Sequence, residues 1–305
     1  MAGAAGSAEV AGIVLGASAL SVAWRAFGPQ RDRGVSLSRD GRRYLALAAG
    51  RPAPIPFALR WLLPRLCSTS VTRWGWCTAV HLTVLPALVA WWLTGWVGSP
   101  VACVAGGMLV CGLPGVWRIH LRWPVLVDAA AMTWAMASAV SAQHRLWALA
   151  AGTALVAGCI KETAPVFAAC YGWHPAALVG LVAPLVRAAT VRLGDDIEGQ
   201  TDIFAHPHRA SRRMHRGRWL DPSLMVTPWG ICLLGLAAGD PRIVQMLAVT
   251  GALAYGQVLV ATDTVRLYQW AAPAAILATT AVVPSGWGLA ALAVHLANPW
   301  AGDGL

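Results

Sequence analysis

The chain has 305 residues, 57% of them hydrophobic and only 12% charged, with a mean hydropathy of +0.58. A soluble domain carries about 25% charged residues, so a water-soluble globular protein is set aside at once. The formal net charge of +10 rests on arginine, because Lys161 is the single lysine among 23 basic residues. These arginines lie between apolar runs rather than on one face, which argues against nucleic acid and for membrane lipids or a phosphate-bearing substrate.

The first apolar run, about 8–24, lacks a basic leader and carries Glu9, so it is read as a retained first helix rather than a signal peptide. A basic segment with ten arginines follows from Arg25 to Arg73. Within it, Phe57 to Leu66 mixes Arg60 and Arg65 with Trp61 and leucines, the pattern of a helix lying in the membrane interface. Apolar runs then recur at 76–97, 99–117, 124–142, 146–172 and 175–193. A polar loop occupies 194–222, and the last runs are 223–238, 243–261, 267–283 and 286–300. Runs of this kind cross ~30 Å of hydrocarbon as helices, and the ~10-residue alternation of a membrane barrel is missing.

The pattern therefore predicts an all-α, polytopic integral membrane bundle of about nine to ten transmembrane helices. It forms a single transmembrane domain over 1–305, with an interfacial helix in the first large basic loop, 25–75. The seven cysteines form no C-x-x-C pair and read as small buried hydrophobes. Five apolar runs separate the two basic loops, so these fall on opposite sides of the membrane and one of them defies the positive-inside rule.

Charged residues inside apolar runs carry the chemical information. Lys161-Glu162 interrupts the 146–172 run, where an ionised side chain costs about 2.5–3.5 kcal/mol. Adjacent residues on a helix point ~100° apart, so the two are expected to meet separate partners on other helices, or a ligand. Pro165 is placed to open the helix there. Asp128, just after Pro124, suits a helix start, a partner for Lys161 or a substrate contact. Asp263 and Arg266 stand at i, i+3, either as a surface ion pair or at a cavity mouth with Arg266 reading an anion. In the first loop, Asp40 and Tyr44 sit among Arg39, Arg42, Arg43, Arg51 and Arg60. Arginines beside a carboxylate suit transfer from a phosphate-linked donor: guanidiniums hold the leaving phosphate and the carboxylate takes the proton of the attacking hydroxyl. The 194–222 loop gathers Asp195, Asp196, Glu198, Asp202, His206, His208 and His215, a set able to hold a divalent cation although no established spacing matches.

The order Asp40…Tyr44…Ala48-x-Gly50, then Pro56-Phe57…Arg60-x-Leu62…Pro64, resembles the first large loop of polytopic C-type glycosyltransferases. The likeness continues through Pro124…Asp128, Lys161-Glu162-Thr163 and Asp263…Arg266…Pro273, over about residues 8–283 in short, degenerate pieces. The resemblance implies a multi-pass protein of a bacterial plasma membrane that takes a sugar from a polyprenyl-phosphate lipid. It also implies a cytoplasmic N-terminus, an outward-facing first loop and Asp40 as catalytic base. Arg39, Arg42, Arg43, Tyr44 and Arg60, with Asp128, Lys161, Glu162, Asp263 and Arg266, would then bind or border the substrate. One departure is specific: the acidic pair usual in that loop is a single acid here, since Arg39 precedes Asp40 and Gly41 follows it. A transporter or flippase for an anionic lipid or solute, with Lys161-Glu162 as its binding site, and a non-enzymatic membrane partner are the competing readings.

Overall fold

The computed structural model describes residues 4–27, 37–191, 226–258, 266 and 268–287. Among these residues the regular structure is entirely helical. Two helices are long and apolar enough to cross a membrane: the Gly6–Trp24 part of α1 (Ala4–Phe27) and α4 (Val71–Leu93). Both turn large apolar side chains outward, among them Leu20, Trp24 and Trp76. A lipid-facing surface requires this, and a soluble monomer avoids it.

The nine to ten spans expected from hydropathy are not all continuous helices, because several apolar runs are broken. One pair, Pro100–Gly112 and Pro114–Arg122, passes the length and composition test only as a single bent span. The 146–172 run splits into α8 (Trp147–Ile160) and α9 (Ala164–Gly172). The 223–238 run becomes a 3-10 segment, Thr227–Ala237, kinked at Gly230, whose φ of 52° and ψ of −127° favour glycine. In the first loop, the stretch expected as one interfacial helix is a 3-10 turn, Phe57–Leu59, then α3 (Leu62–Cys67). A further helix, α2 (Arg39–Ala48), precedes them.

The chain divides into two compact units, one drawn from residues 1–11, 89–118 and 197–305, the other from 12–88 and 119–196. In the first, α12 (Ala272–Val282) is buried along nearly its whole length. It packs on the Thr227–Ala237 segment, where Thr279 Oγ1 donates to the Cys232 carbonyl at 3.1 Å. It also packs on α5 (Pro100–Leu109) and α11 (Pro241–Val258). Gln269 ties three segments: its Oε1 accepts from the Gly115 N–H at 2.6 Å and its Nε2 donates to the Pro228 carbonyl at 3.2 Å.

The second unit is built on α7 (Asp128–Gln143), with α8, α9, the 3-10 segment Pro175–Leu181 and α10 (Val182–Thr190) around it. The short α6 (Ile119–Arg122) precedes α7. The packing is backbone against backbone. A side chain at Gly158 would strike the Gly180 carbonyl, and one at Gly180 would strike that of Ala154. Small residues let helices approach this closely where lipid supplies no hydrophobic drive. The chain runs up α7, back down α8 and up again in α9. Asp128, Ile160 and Ala164 thus mark one end of the unit, with Gln143, Trp147 and Gly172 at the other. The far end is closed by Trp147 stacked on His174, with ring centroids 3.9 Å apart.

Candidate functional site

The charged residues picked out in the second unit gather at the Asp128 end. Helix α2 begins at Ser38, whose hydroxyl accepts the Gly41 N–H at 3.0 Å and so caps the first turn. Asp40 lies in that turn, where the helix dipole favours a carboxylate. It pairs with Arg43 at 3.6 Å, and both side chains are only 17% exposed. At the next position, a Cβ in place of Gly41 would lie 3.1 Å from the Val125 carbonyl oxygen. Helix α2 thus packs closely on the segment before α7, and a side chain there would require Val125 to shift by a few tenths of an ångström.

One turn further on, Tyr44 is buried, its ring edge-on to Phe57 with centroids 5.3 Å apart and beside Trp74 at 6.0 Å. Its hydroxyl accepts from Arg60 Nη1 at 2.9 Å. Arg60 also forks onto Glu162, Nε to Oε2 at 2.8 Å and Nη2 to Oε1 at 2.6 Å. This two-point geometry suits a guanidinium and a carboxylate. Burial works against the Arg60 charge, but the Glu162 carboxylate and the Tyr44 oxygen outweigh it and hold the guanidinium well above its ordinary value. Burial likewise pushes the Tyr44 hydroxyl up, with Arg60 opposing, so the phenol stays neutral. The guanidiniums of Arg43 and Arg60 lie over the Phe57 ring, 4.7 and 5.6 Å from its centroid.

Lys161 and Glu162 occupy the break between α8 and α9. Lys161 is extended, with φ −152° and ψ 127°, and Pro165 stands in the first turn of α9, where its missing N–H costs little. The Lys161 ammonium pairs with Asp128 Oδ1, and both side chains are buried. Asp128 opens α7, and the next residue, Ala129, donates its N–H to His120 Nε2 at 3.2 Å. Lys161 and Glu162 thus do meet separate partners, one on α7 and one in the first loop, 102 positions away in sequence from Glu162.

Tyr44, Arg60, Asp128, Lys161 and Glu162 are therefore linked at one end of the unit, with Asp40 and Arg43 on the helix that carries Tyr44. Arg39 and Arg42 are exposed on that helix, Arg42 donating to the Leu37 carbonyl at 3.4 Å. Arg266 is buried in the other compact unit, and Asp263 lies outside the described residues. So do the acids and histidines of the 194–222 loop; among the described residues, no cluster of three or more His, Cys, Asp or Glu is placed to hold a metal.

Arg187 was not singled out by the sequence reading. It lies near the end of α10, and its Nε donates to the Ala58 carbonyl at 3.3 Å, inside the turn that leads to Arg60. The available signal was its position within the apolar run 175–193, the same signal that marked Lys161. Comparison with family models, curated proteins and solved structures gives no match for this chain.

Proposed function

We propose that this chain is a multi-pass transferase of a bacterial plasma membrane, moving a sugar from a polyprenyl-phosphate donor to an acceptor hydroxyl at the membrane surface. The observation that carries the reading is the set of residues around α2. A partly exposed carboxylate, Asp40, stands in a first turn among Arg39, Arg42 and Arg43. This helix is fastened to the apolar helices through Tyr44, Arg60 and Glu162. In the proposed step the acceptor hydroxyl gives its proton to Asp40 and its oxygen attacks the anomeric carbon. The bond from that carbon to the phosphate oxygen breaks, and polyprenyl phosphate leaves with its charge met by arginine.

Helix length sets the depth of the break at Lys161. The 14 residues of α8 reach about 21 Å at 1.5 Å per residue. With the Trp147 end at one boundary of a ~30 Å hydrocarbon layer, the Lys161 end lies about 6 Å past the midplane and about 9 Å short of the other boundary. The test is a proteoliposome assay with a polyprenyl-phosphate sugar labelled in both the sugar and the prenyl chain, so that the product reports which half moves. Asp40→Asn is expected to slow sugar transfer by about 100-fold or more. Transfer at the normal rate by Asp40→Asn would sink the assignment, and label from the prenyl half in the product would replace the reaction with prenyl transfer.

The helix break at Lys161–Thr163 favours a second reading, transport of an anionic lipid or solute, because transporters place broken helices at their binding sites. Flux lost in Lys161→Ala but retained in Asp40→Asn would select it.

A further inference from the structure

We propose that Arg187 is the residue that anchors the lipid phosphate in this site, and that Arg60 is the strut that shapes it. For the identity of the ligand the inference rests on the lipid-phosphate reading above; for the residue it rests on a count of charges around one turn.

Three guanidiniums converge on the turn Phe57–Arg60. Arg43 and Arg60 lie over the Phe57 ring, and Arg187 donates from Nε to the Ala58 carbonyl. Guanidiniums gathered in partly buried surroundings repel one another unless each is compensated. Two of the three are compensated: Arg43 by Asp40 and Arg60 by both oxygens of Glu162. Among the described residues, Arg187 has no carboxylate within ion-pair distance. Among the described residues, the turn therefore holds one guanidinium in excess, which is the complement of an anion.

The geometry of Arg187 fits that role. Its single hydrogen bond uses Nε, which fixes the plane of the guanidinium and leaves both terminal nitrogens to present a fork. A fork of this kind matches two oxygens of a phosphate. Arg60 has Nε and both terminal nitrogens engaged, by Glu162 and Tyr44, so its task is to hold the turn in place.

The competing role for Arg187 is a tether, one N–H holding α10 to the first loop at a helix C-terminus that welcomes any cation. Binding of a long-chain polyprenyl phosphate to the full chain in detergent separates the two, with unphosphorylated polyprenol and phosphatidylglycerol as comparison ligands. Wild type is expected to prefer the phosphate over the polyprenol by about 10- to 100-fold. Arg187→Gln, which keeps a donor for Ala58, is expected to abolish that preference with an unchanged melting temperature. Arg187→Lys should retain part of it. Displacement by phosphatidylglycerol at equal concentration would support a phosphate anchor while naming bulk lipid as the source. An Arg187→Gln protein that keeps the preference, or one that loses it only together with its thermal stability, overturns the proposal. If wild type transfers no sugar but Arg187→Gln loses phosphate binding, the anchor stands and the glycosyltransferase reading falls. If Asp40-dependent transfer proceeds while Arg187→Gln binds normally, the reverse holds.

Discussion

Replacing one member of the Lys161–Asp128 pair is expected to cost far more than replacing both. The two side chains are 2% and 6% exposed, so neither charge reaches solvent. Removing one partner of a buried pair leaves the other uncompensated, at a cost of about 3–5 kcal/mol. Insertion scales give a similar figure, about 2.5–3.5 kcal/mol, for a lone charge in a membrane helix. Asp128→Leu removes the carboxylate, and Lys161→Met keeps the length and removes the ammonium; each should lose about 3 kcal/mol. The double variant Lys161→Met/Asp128→Leu removes both charges and both desolvation costs, and should fall within about 1 kcal/mol of wild type. Reversible unfolding in mixed micelles at rising SDS fraction, read by tryptophan fluorescence, gives the three differences. Single effects that simply add in the double variant, to within about 0.5 kcal/mol, would refute the claim that the pair exists to neutralise itself.

Tyr44→Phe removes the hydroxyl that accepts from Arg60 and should lower stability by about 1.5 kcal/mol in the same unfolding titration, the low end for a bond to a charged group, because Glu162 still holds the fork. Gly158→Ala should be costly despite its small size, at or beyond the top of the about 1–3 kcal/mol range for overpacking, since the new carbon meets the Gly180 backbone; a neutral result in that titration would mean that α8 and the Pro175–Leu181 segment are not in backbone contact. Gly41→Asp, which would put a second acid beside Asp40, should lower the melting temperature in a thermal scan, because the new side chain presses on the Val125 carbonyl.

The all-helical structure and the presence of helices apolar enough to cross a membrane were legible in the sequence, and so was a pairing of Lys161 with Asp128, because a charge inside an apolar run stands out against its neighbours. That Lys161 and Glu162 take separate partners was legible too, although the reason proved different. The expectation rested on a continuous helix turning the two side chains ~100° apart. In the structure the helix stops at Ile160 and Lys161 is extended, so the break itself sends the two side chains apart. Hydropathy averages over such a break, and the proline that seemed to mark it lies in the first turn of the next helix. The join between Arg60 and Glu162 was not legible, because no local pattern connects residues 102 positions apart. Position 41 is a second such case. Its glycine was read for chemistry alone, and its close approach to the Val125 carbonyl had no mark in the local sequence.

The length of α8 bears on why a loop arginine is buried at all. Its 14 residues fall roughly 9 Å short of a ~30 Å hydrocarbon layer, and the 16 of α7 reach only about 24 Å. On the proposed multi-pass reading, helices this short leave depth at one end to be filled by something whose backbone groups are already satisfied. The first loop supplies that filling. Its elements α2, Phe57–Leu59 and α3 are each helical turns, and they bring buried Tyr44, Phe57, Ala58 and Leu63 with them. A segment rich in arginine enters such a position only if its buried cation is compensated. Glu162, freed from a helical register by the break, does this for Arg60. The short helix, the break and the paired charges are thus one arrangement: α8 stops early, the loop closes over its end, and the residues at the break hold the loop there. Asp40 and its arginines, carried on the outer part of that loop, take their fixed position from it.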